Sequence, residues 1–211
     1  HVEGNTTENW RIVPTNAFNS SQAEIQQTWA GLYKAIYNAN DFIETLSQRM
    51  KAYNETDKQL AYIYLAEART IRSICYFELV RRYGNVPLME TTAMSEQAPS
   101  TFVQEKPEVI YQFIEKDLTF ACQVLPYATE DVQRTNTKYR LSKGAALGLL
   151  TKVYATWAGY PVKDESKWEE AAKTAKVLVE SRKHALLNDF ETLWENTCNG
   201  KWDPTESLIE I

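Results

Sequence analysis

The stretch Ala66-Glu67-Ala68-Arg69-Thr70-Ile71-Arg72-Ser73-Ile74-Cys75-Tyr76-Phe77-Glu78-Leu79-Val80-Arg81-Arg82-Tyr83-Gly84 decides the fold. Apolar side chains recur at Ala61, Leu65, Ala68, Ile71, Cys75 and Leu79, the three- and four-residue steps of an α-helix. Tyr64 and Phe77 fall on other faces, so the helix is apolar nearly all round and needs neighbours to cover it. Its expected span is 57–83. Thr56 followed by Gln59 has the form of a capping box at its start, and Gly84 and Pro87 break it at its end.

Working outward, Trp29, Leu32, Ile36, Ala39, Ile43, Leu46 and Met50 form one stripe of a preceding helix over about 22–50, with Ser21 and Glu24 as its capping box. Residues 84–106, with Pro87 and Pro99 among polar residues, read as a long ordered loop. Pro107 suits the first turn of a third helix, striped by Ile110, Phe113, Ile114, Leu118, Ala121 and Leu125 and stopped by Pro126. A polar stretch over 127–141 precedes a fourth helix at 142–159, carrying Ala146, Leu149, Leu150, Val153, Tyr154 and Trp157. A fifth begins at the box Ser166 and Glu169 and is expected to bury Trp168, Ala171, Ala172, Ala175, Leu178 and Val179. The pattern loosens beyond Ser181.

Shifting the chain by 78 residues places Ala68 on Ala146, Ile71 on Leu149, Cys75 on Val153, Tyr76 on Tyr154 and Leu79 on Trp157. A helix of small and aromatic residues, repeated with an amphipathic partner, is how tetratricopeptide-type hairpins pack. The fold class is therefore all-α, tetratricopeptide-like helical hairpins joined by long ordered loops. With 7 Gly, 7 Pro and 12% aromatic residues, collagen-like, low-complexity and disordered chains are excluded.

The formal charge of -5 gives no global positive field, so nucleic acid is not an expected partner. The longest apolar run, Gly144 to Leu150, is far short of the ~20 residues that cross a bilayer. Cys75 and Cys122 sit at helical spacing among apolar residues, as inert buried thiols do, and Cys198 lies in a polar stretch with no His nearby. Asn5-Thr6-Thr7, Asn19-Ser20-Ser21 and Asn54-Glu55-Thr56 have the form of glycosylation acceptors and are read as chance matches. His184 and the terminal His1 cannot build a His-rich metal site or a triad. No phosphate-cradling glycine loop is present, and carboxylate pairs such as Glu115 with Asp117 lack an acid-and-nucleophile setting. No cofactor is expected.

Several phrases together resemble the SusD/RagB family of surface glycan-binding lipoproteins. They are Trp29, Tyr33, Ile36, Ala39-Asn40 and Ile43; Ala66 to Arg69, Ile71-Arg72, Tyr76-Phe77, Leu79-Val80, Arg82-Tyr83-Gly84 and Val86-Pro87-Leu88; then Arg140-Leu141, Lys143 to Ala146, Leu150, Lys152-Val153-Tyr154, Trp168, Ala171-Ala172 and the tail Glu206 to Ile211. The resemblance implies a helical scaffold held by a lipid anchor on the outer face of an outer membrane. It implies a partner, a TonB-dependent transporter (SusC-like), that the protein caps, an oligosaccharide or peptide-derived nutrient as ligand, and no catalysis. Family members are longer and begin at a lipidated Cys. Residues 1–211 are accordingly expected to be a single SusD-like helical domain, the helical portion of a longer protein without its lipidated N-terminus and C-terminal half.

Sugar binding needs an aromatic face for ring C–H groups and amides or carboxylates for hydroxyls. Trp29, Trp157 and Trp168 lie on helical stripes and read as core, as does Trp194. Trp10 with Asn16, and Trp202 with Asp203, lie in polar segments and are the candidate ligand contacts, with Tyr139 and Tyr160 as weaker ones. Arg69, Arg72, Arg81 and Arg82 read as a solvated face paired with Glu67 and Glu78. Two other classes remain open at this level: a tetratricopeptide-type scaffold that binds only protein, and a hydrolase. A concave apolar groove between hairpins would favour the scaffold, exposed loop aromatics the sugar binder, and turnover the hydrolase.

Overall fold

The computed structural model of the chain describes residues 22–130 and 140–209. The first helix, α1, spans Ala23–Arg49 and continues into a 3-10 turn at Met50–Ala52. Glu24 in its first turn and Arg49 in its last match the helix dipole. The second, α2, spans Glu55–Tyr83. It starts earlier than the Thr56 box implies, because Asn54 is the cap: its side-chain oxygen accepts from Asp57 N at 2.9 Å while its amide donates to the Asp57 carboxylate at 2.8 Å. One orphan backbone N–H of the first turn, that of Asp57, is satisfied by this exchange, and the side-chain bond holds the cap in place. At the other end Gly84 adopts φ 73, a left-handed conformation that favours glycine, and closes on Val80 O.

The 84–106 loop is ordered and stitched to itself and to the helices. A two-residue strand β1 (Val86–Pro87) pairs antiparallel with β2 (Gln104–Glu105), with Val86 opposite Glu105. Between them lie the short helix α3 (Thr92–Ser95) and a 3-10 turn at Pro99–Thr101. Helix α4 (Pro107–Val124) carries Pro107 in its first turn, and α5 (Lys143–Ala158) is capped by Ser142, which accepts from Ala145 N. Helix α6 (Lys167–Glu180) lacks the expected Ser166 cap, because the Ser166 hydroxyl donates to Asp164 at 2.5 Å instead. Helix α7 (Phe190–Cys198) is capped by the Asp189 carboxylate. Among the described residues no helix is long and apolar enough to cross a membrane.

Packing follows chain order: α1 lies on α2, α2 on α4, α4 on α5 and α5 on α6. Two stacked hairpins result, α1/α2 and α4/α5, and the 78-residue shift maps one onto the other. Cys75 and Val153, Tyr76 and Tyr154, and Leu79 and Trp157 are all buried equivalents. Ile71 and Leu149 are not: Ile71 is 45% exposed, while Leu149 is buried beside Leu208 and Ile209. The main core joins Ile36 of α1 to Tyr76, Phe77 and Leu79 of α2, Ile110, Phe113 and Ile114 of α4, and Val153 and Trp157 of α5.

Burial pushes the Cys75 thiol up to about 11 and the Cys122 thiol up to about 12, whereas Cys198 is exposed. Because the thiolate is the nucleophile, iodoacetamide at pH 8 is expected to modify one thiol, at Cys198, in the native chain and three in urea. Mass spectrometry checks this; native modification of Cys75 contradicts it.

Candidate functional site

The loop after α2 is held by side chains of both hairpin helices. Tyr33 donates its hydroxyl to Pro87 O at 2.8 Å, and Asn40 donates its amide to Met89 O at 2.8 Å. The Tyr76 hydroxyl accepts from Met89 N at 2.7 Å and donates to Met89 O at 3.0 Å. Glu44 receives both Thr92 N and the Thr92 hydroxyl. Beneath this loop Arg72 reaches across three helices. Its guanidinium binds both Asp117 oxygens of α4, at 2.8 and 3.0 Å, and donates to Asn40 of α1 at 2.6 Å. Burial pushes the Asp117 carboxyl up, and Arg72 and then Arg69 oppose that shift. The expected solvated arginine face is thus only partly correct. Arg81 and Arg82 pair with Glu78 at the surface, but Arg72 is buried and Arg69 lies 4.2 Å over the Phe120 ring.

Anchoring the loop shapes an aromatic cleft. Trp29, Tyr33 and Tyr37, one helical turn apart on α1, form one wall; Pro87, Met89, Ser95 and Phe102 of the loop form the other, around about 350 Å³. Trp29 packs on Tyr33 at 5.0 Å and edge-on to Tyr83 at 4.9 Å. Burial, helped by Tyr76, pushes the Tyr33 phenol up and keeps it a neutral donor. An aromatic wall with a few hydroxyls around it is the chemistry that receives a sugar ring. Spacing alone does not reveal this cleft: Trp29 lies on an apolar stripe of α1 that reads as core, and the residue is only half-buried.

A second concavity, of about 640 Å³, lies over the α1/α2 seam between Ala35, Ala39 and Phe42 on one side and Tyr64, Ala68 and Ile71 on the other. Arg140 closes one end, paired with Glu67 and 5.1 Å over the Tyr64 ring.

Of the candidate contacts, Trp10, Asn16 and Tyr139 lie outside the described residues. Trp202 and Asp203 are half-buried after α7. The Asp203 carboxylate accepts from Thr205 N at 2.8 Å, forming a turn whose backbone is pinned by Ala185 N to Thr205 O at 3.0 Å. Tyr160 is exposed. Two core expectations are corrected: Trp168 is 53% and Trp194 62% exposed, because among the described residues nothing packs against the outer faces of α6 and α7. Of the expected α6 stripe, Ala171 alone is buried, and Val179 is exposed.

The family described as "Starch-binding associating with outer membrane" (SusD-like) matches residues 3–155. The chain belongs to this family. The crystal structure of a SusD homolog from Bacteroides thetaiotaomicron VPI-5482 is 65% identical with a TM-score of 0.93, covering 99% of this chain and 39% of that one. A crystal structure with xylogluco-oligosaccharide is 26% identical with a TM-score of 0.77, covering 97% of this chain and 38% of that one. A SusD-like protein from Bacteroides ovatus is 29% identical over 187 residues, which are 87% of this chain and 32% of that protein. The chain therefore spans about a third to two-fifths of the length of these SusD-like relatives.

Proposed function

We propose that this SusD-like chain is the helical part of a cell-surface protein that binds oligosaccharide without catalysing its cleavage. The observation that carries the reading is the match to a starch-binding family, joined by a relative solved with a xylogluco-oligosaccharide and alike over 97% of this chain. Association with the outer membrane follows the family description. Lipid anchoring and a TonB-dependent transporter as the partner being capped complete the reading, on the same resemblance.

Trp202 with Asp203, and Trp10 with Asn16, are the proposed loop contacts, and the Trp29/Tyr33/Tyr37 cleft adds a concave aromatic wall. Calorimetric titration with malto- and xyloglucan oligosaccharides tests the function. Losing one stacked ring removes about 1.4 kcal/mol, so Trp202→Ala and Tyr37→Ala are each expected to weaken affinity about ten-fold. Parent-like binding by both variants overturns the contacts; a parent that binds no oligosaccharide overturns the function. The groove over the α1/α2 seam is the observation behind a second reading, a scaffold for protein partners.

A further inference from the structure

One stripe of α1 builds the aromatic wall of the cleft and also ties down the wall that faces it. Trp29, Tyr33 and Tyr37 follow one another at four-residue steps, and Asn40 and Glu44 carry the same stripe onward. Tyr33 holds Pro87 O, Asn40 holds Met89 O, and Glu44 holds Thr92 by its N–H and its hydroxyl. Apart from the bond to the Thr92 hydroxyl, these ties grip main-chain atoms, so they set the path of the loop whatever side chains lie between them.

The three ties are not equally replaceable. Pro87 is also held by the pairing of β1 with β2, and Met89 is also held by the Tyr76 hydroxyl at both its N–H and its C=O. Helix α3 has no such second support. It is 4 residues long and none of them is buried, whereas a helix below about 12–15 residues is marginal in water by itself. Its other bonds are local, from Met94 N and the Ser95 hydroxyl back to Thr91. Among the described residues, the two bonds from Thr92 to Glu44, at 2.9 and 2.7 Å, are the hydrogen bonds that tie α3 to the helical bundle. Both oxygens of the half-buried Glu44 carboxylate are spent on this one residue.

We propose that Glu44 is a positioning residue for oligosaccharide binding: it fixes α3, and with it Ser95, against the Trp29/Tyr33/Tyr37 wall. This rests on the reading of that cleft as a sugar site. Among the described residues the cleft's hydroxyls are those of Tyr33, Tyr37 and Ser95. That of Tyr33 is given to Pro87 O, while the Ser95 hydroxyl reaches Thr91 O at 3.5 Å, the outer limit of a hydrogen bond. Ser95 is therefore a group that can turn to a sugar hydroxyl, and α3 is the element that carries it. Holding it in place before the ligand arrives avoids the ordering cost that a loose segment meets on binding.

The test compares Glu44→Ala, Glu44→Gln and the pair Glu44→Ala with Thr92→Ala in the full-length protein. Affinity is read by titration with malto- and xyloglucan oligosaccharides, and hydrogen exchange of the 88–98 segment is read without sugar. Glu44→Ala is expected to weaken affinity about five-fold, the cost of ordering one or two residues. It is also expected to speed exchange of the α3 amides by about ten-fold or more, with exchange in α1, α2 and α4 unchanged. Glutamine keeps an acceptor for Thr92 N and offers a donor to the hydroxyl oxygen, so Glu44→Gln is expected to return both readouts to within about two-fold of the parent. Adding Thr92→Ala to Glu44→Ala is expected to weaken affinity no further, because the bonds lost are the same.

Parent-like affinity in Glu44→Ala, with Tyr37→Ala weakened, overturns the positioning role and leaves the cleft a sugar site. A parent that binds no oligosaccharide, or parent-like affinity in Tyr37→Ala, overturns the cleft reading and the role with it, even where exchange of α3 still follows Glu44. Glu44→Gln as weak as Glu44→Ala makes Glu44 a direct contact of the sugar, and exchange accelerated throughout the helices makes its role one of general stability; either result overturns the proposal.

Discussion

Asp117→Ala is expected to lower the stability of the fold by about 3–5 kcal/mol, the usual loss when one partner of a buried ion pair is removed. Asp117 is 2% exposed and its two oxygens hold the Arg72 guanidinium in a fork. Without it Arg72 keeps its charge in the core, between the Phe113 ring at 4.7 Å and the Asn40 amide oxygen. Neither can neutralise it. The loss should spread, since the same guanidinium fixes Asn40, and Asn40 fixes the loop at Met89. At about 2–4 °C per kcal/mol for a chain of this size, the midpoint of thermal unfolding should fall by roughly 6–20 °C. The double variant Arg72→Met with Asp117→Leu leaves no unpaired charge and should lose less than Asp117→Ala alone. Urea unfolding of both checks the comparison. A fall below about 1 kcal/mol for Asp117→Ala, or a double variant worse than the single, contradicts the account.

The Arg72–Asp117 pair marks where the sequence stops being legible. Helix periodicity located α1, α2, α4, α5 and α6 to within a few residues because each buries a stripe, and a stripe is a local signal. Arg72 and Asp117 are 45 residues apart, and their pairing is not local. The available clue is that Arg72 lies within an all-round apolar helix and Asp117 within the Ile114–Leu118 stripe, where a charge needs a partner. Caps are less legible for a related reason: more than one Ser, Thr, Asn or Asp residue lies at the starts of α2 and α6, and backbone geometry selects among them. Asn54 was chosen over Thr56, and Asp164 drew Ser166 away. The aromatic cleft was hidden because periodicity says which face of α1 is apolar but not how much of it the 84–106 loop covers. For Trp202 and Asp203, composition pointed to a polar turn, and the hydrogen bond to Thr205 N accounts for that turn. Loop residues obey no period, so what they contact cannot be read from spacing.

Trp157→Ala is expected to cost about 3–5 kcal/mol, as large-to-small changes of buried aromatics do. Trp157 is 3% exposed, stacked on Tyr111 of α4 at 5.5 Å and 20°, with the Lys167 ammonium of α6 at 3.9 Å above its ring. One side chain thus joins three helices, and removing it leaves a cavity that the rigid helix backbones cannot close. Among the described residues the buried Nε1 of Trp157 has no hydrogen-bond partner. Trp157→Phe therefore keeps most of the ring volume while removing an unpaired N–H, and should lose much less than the alanine variant. Trp168 supplies the contrast. It lies on a helical stripe as Trp157 does, yet it is 53% exposed, so Trp168→Ala should cost clearly less than Trp157→Ala, about 1 kcal/mol. Chemical denaturation of the three variants decides the matter: comparable losses at Trp157 and Trp168 would mean that the stripe, and not the neighbours packed on it, sets the energetics of the fold.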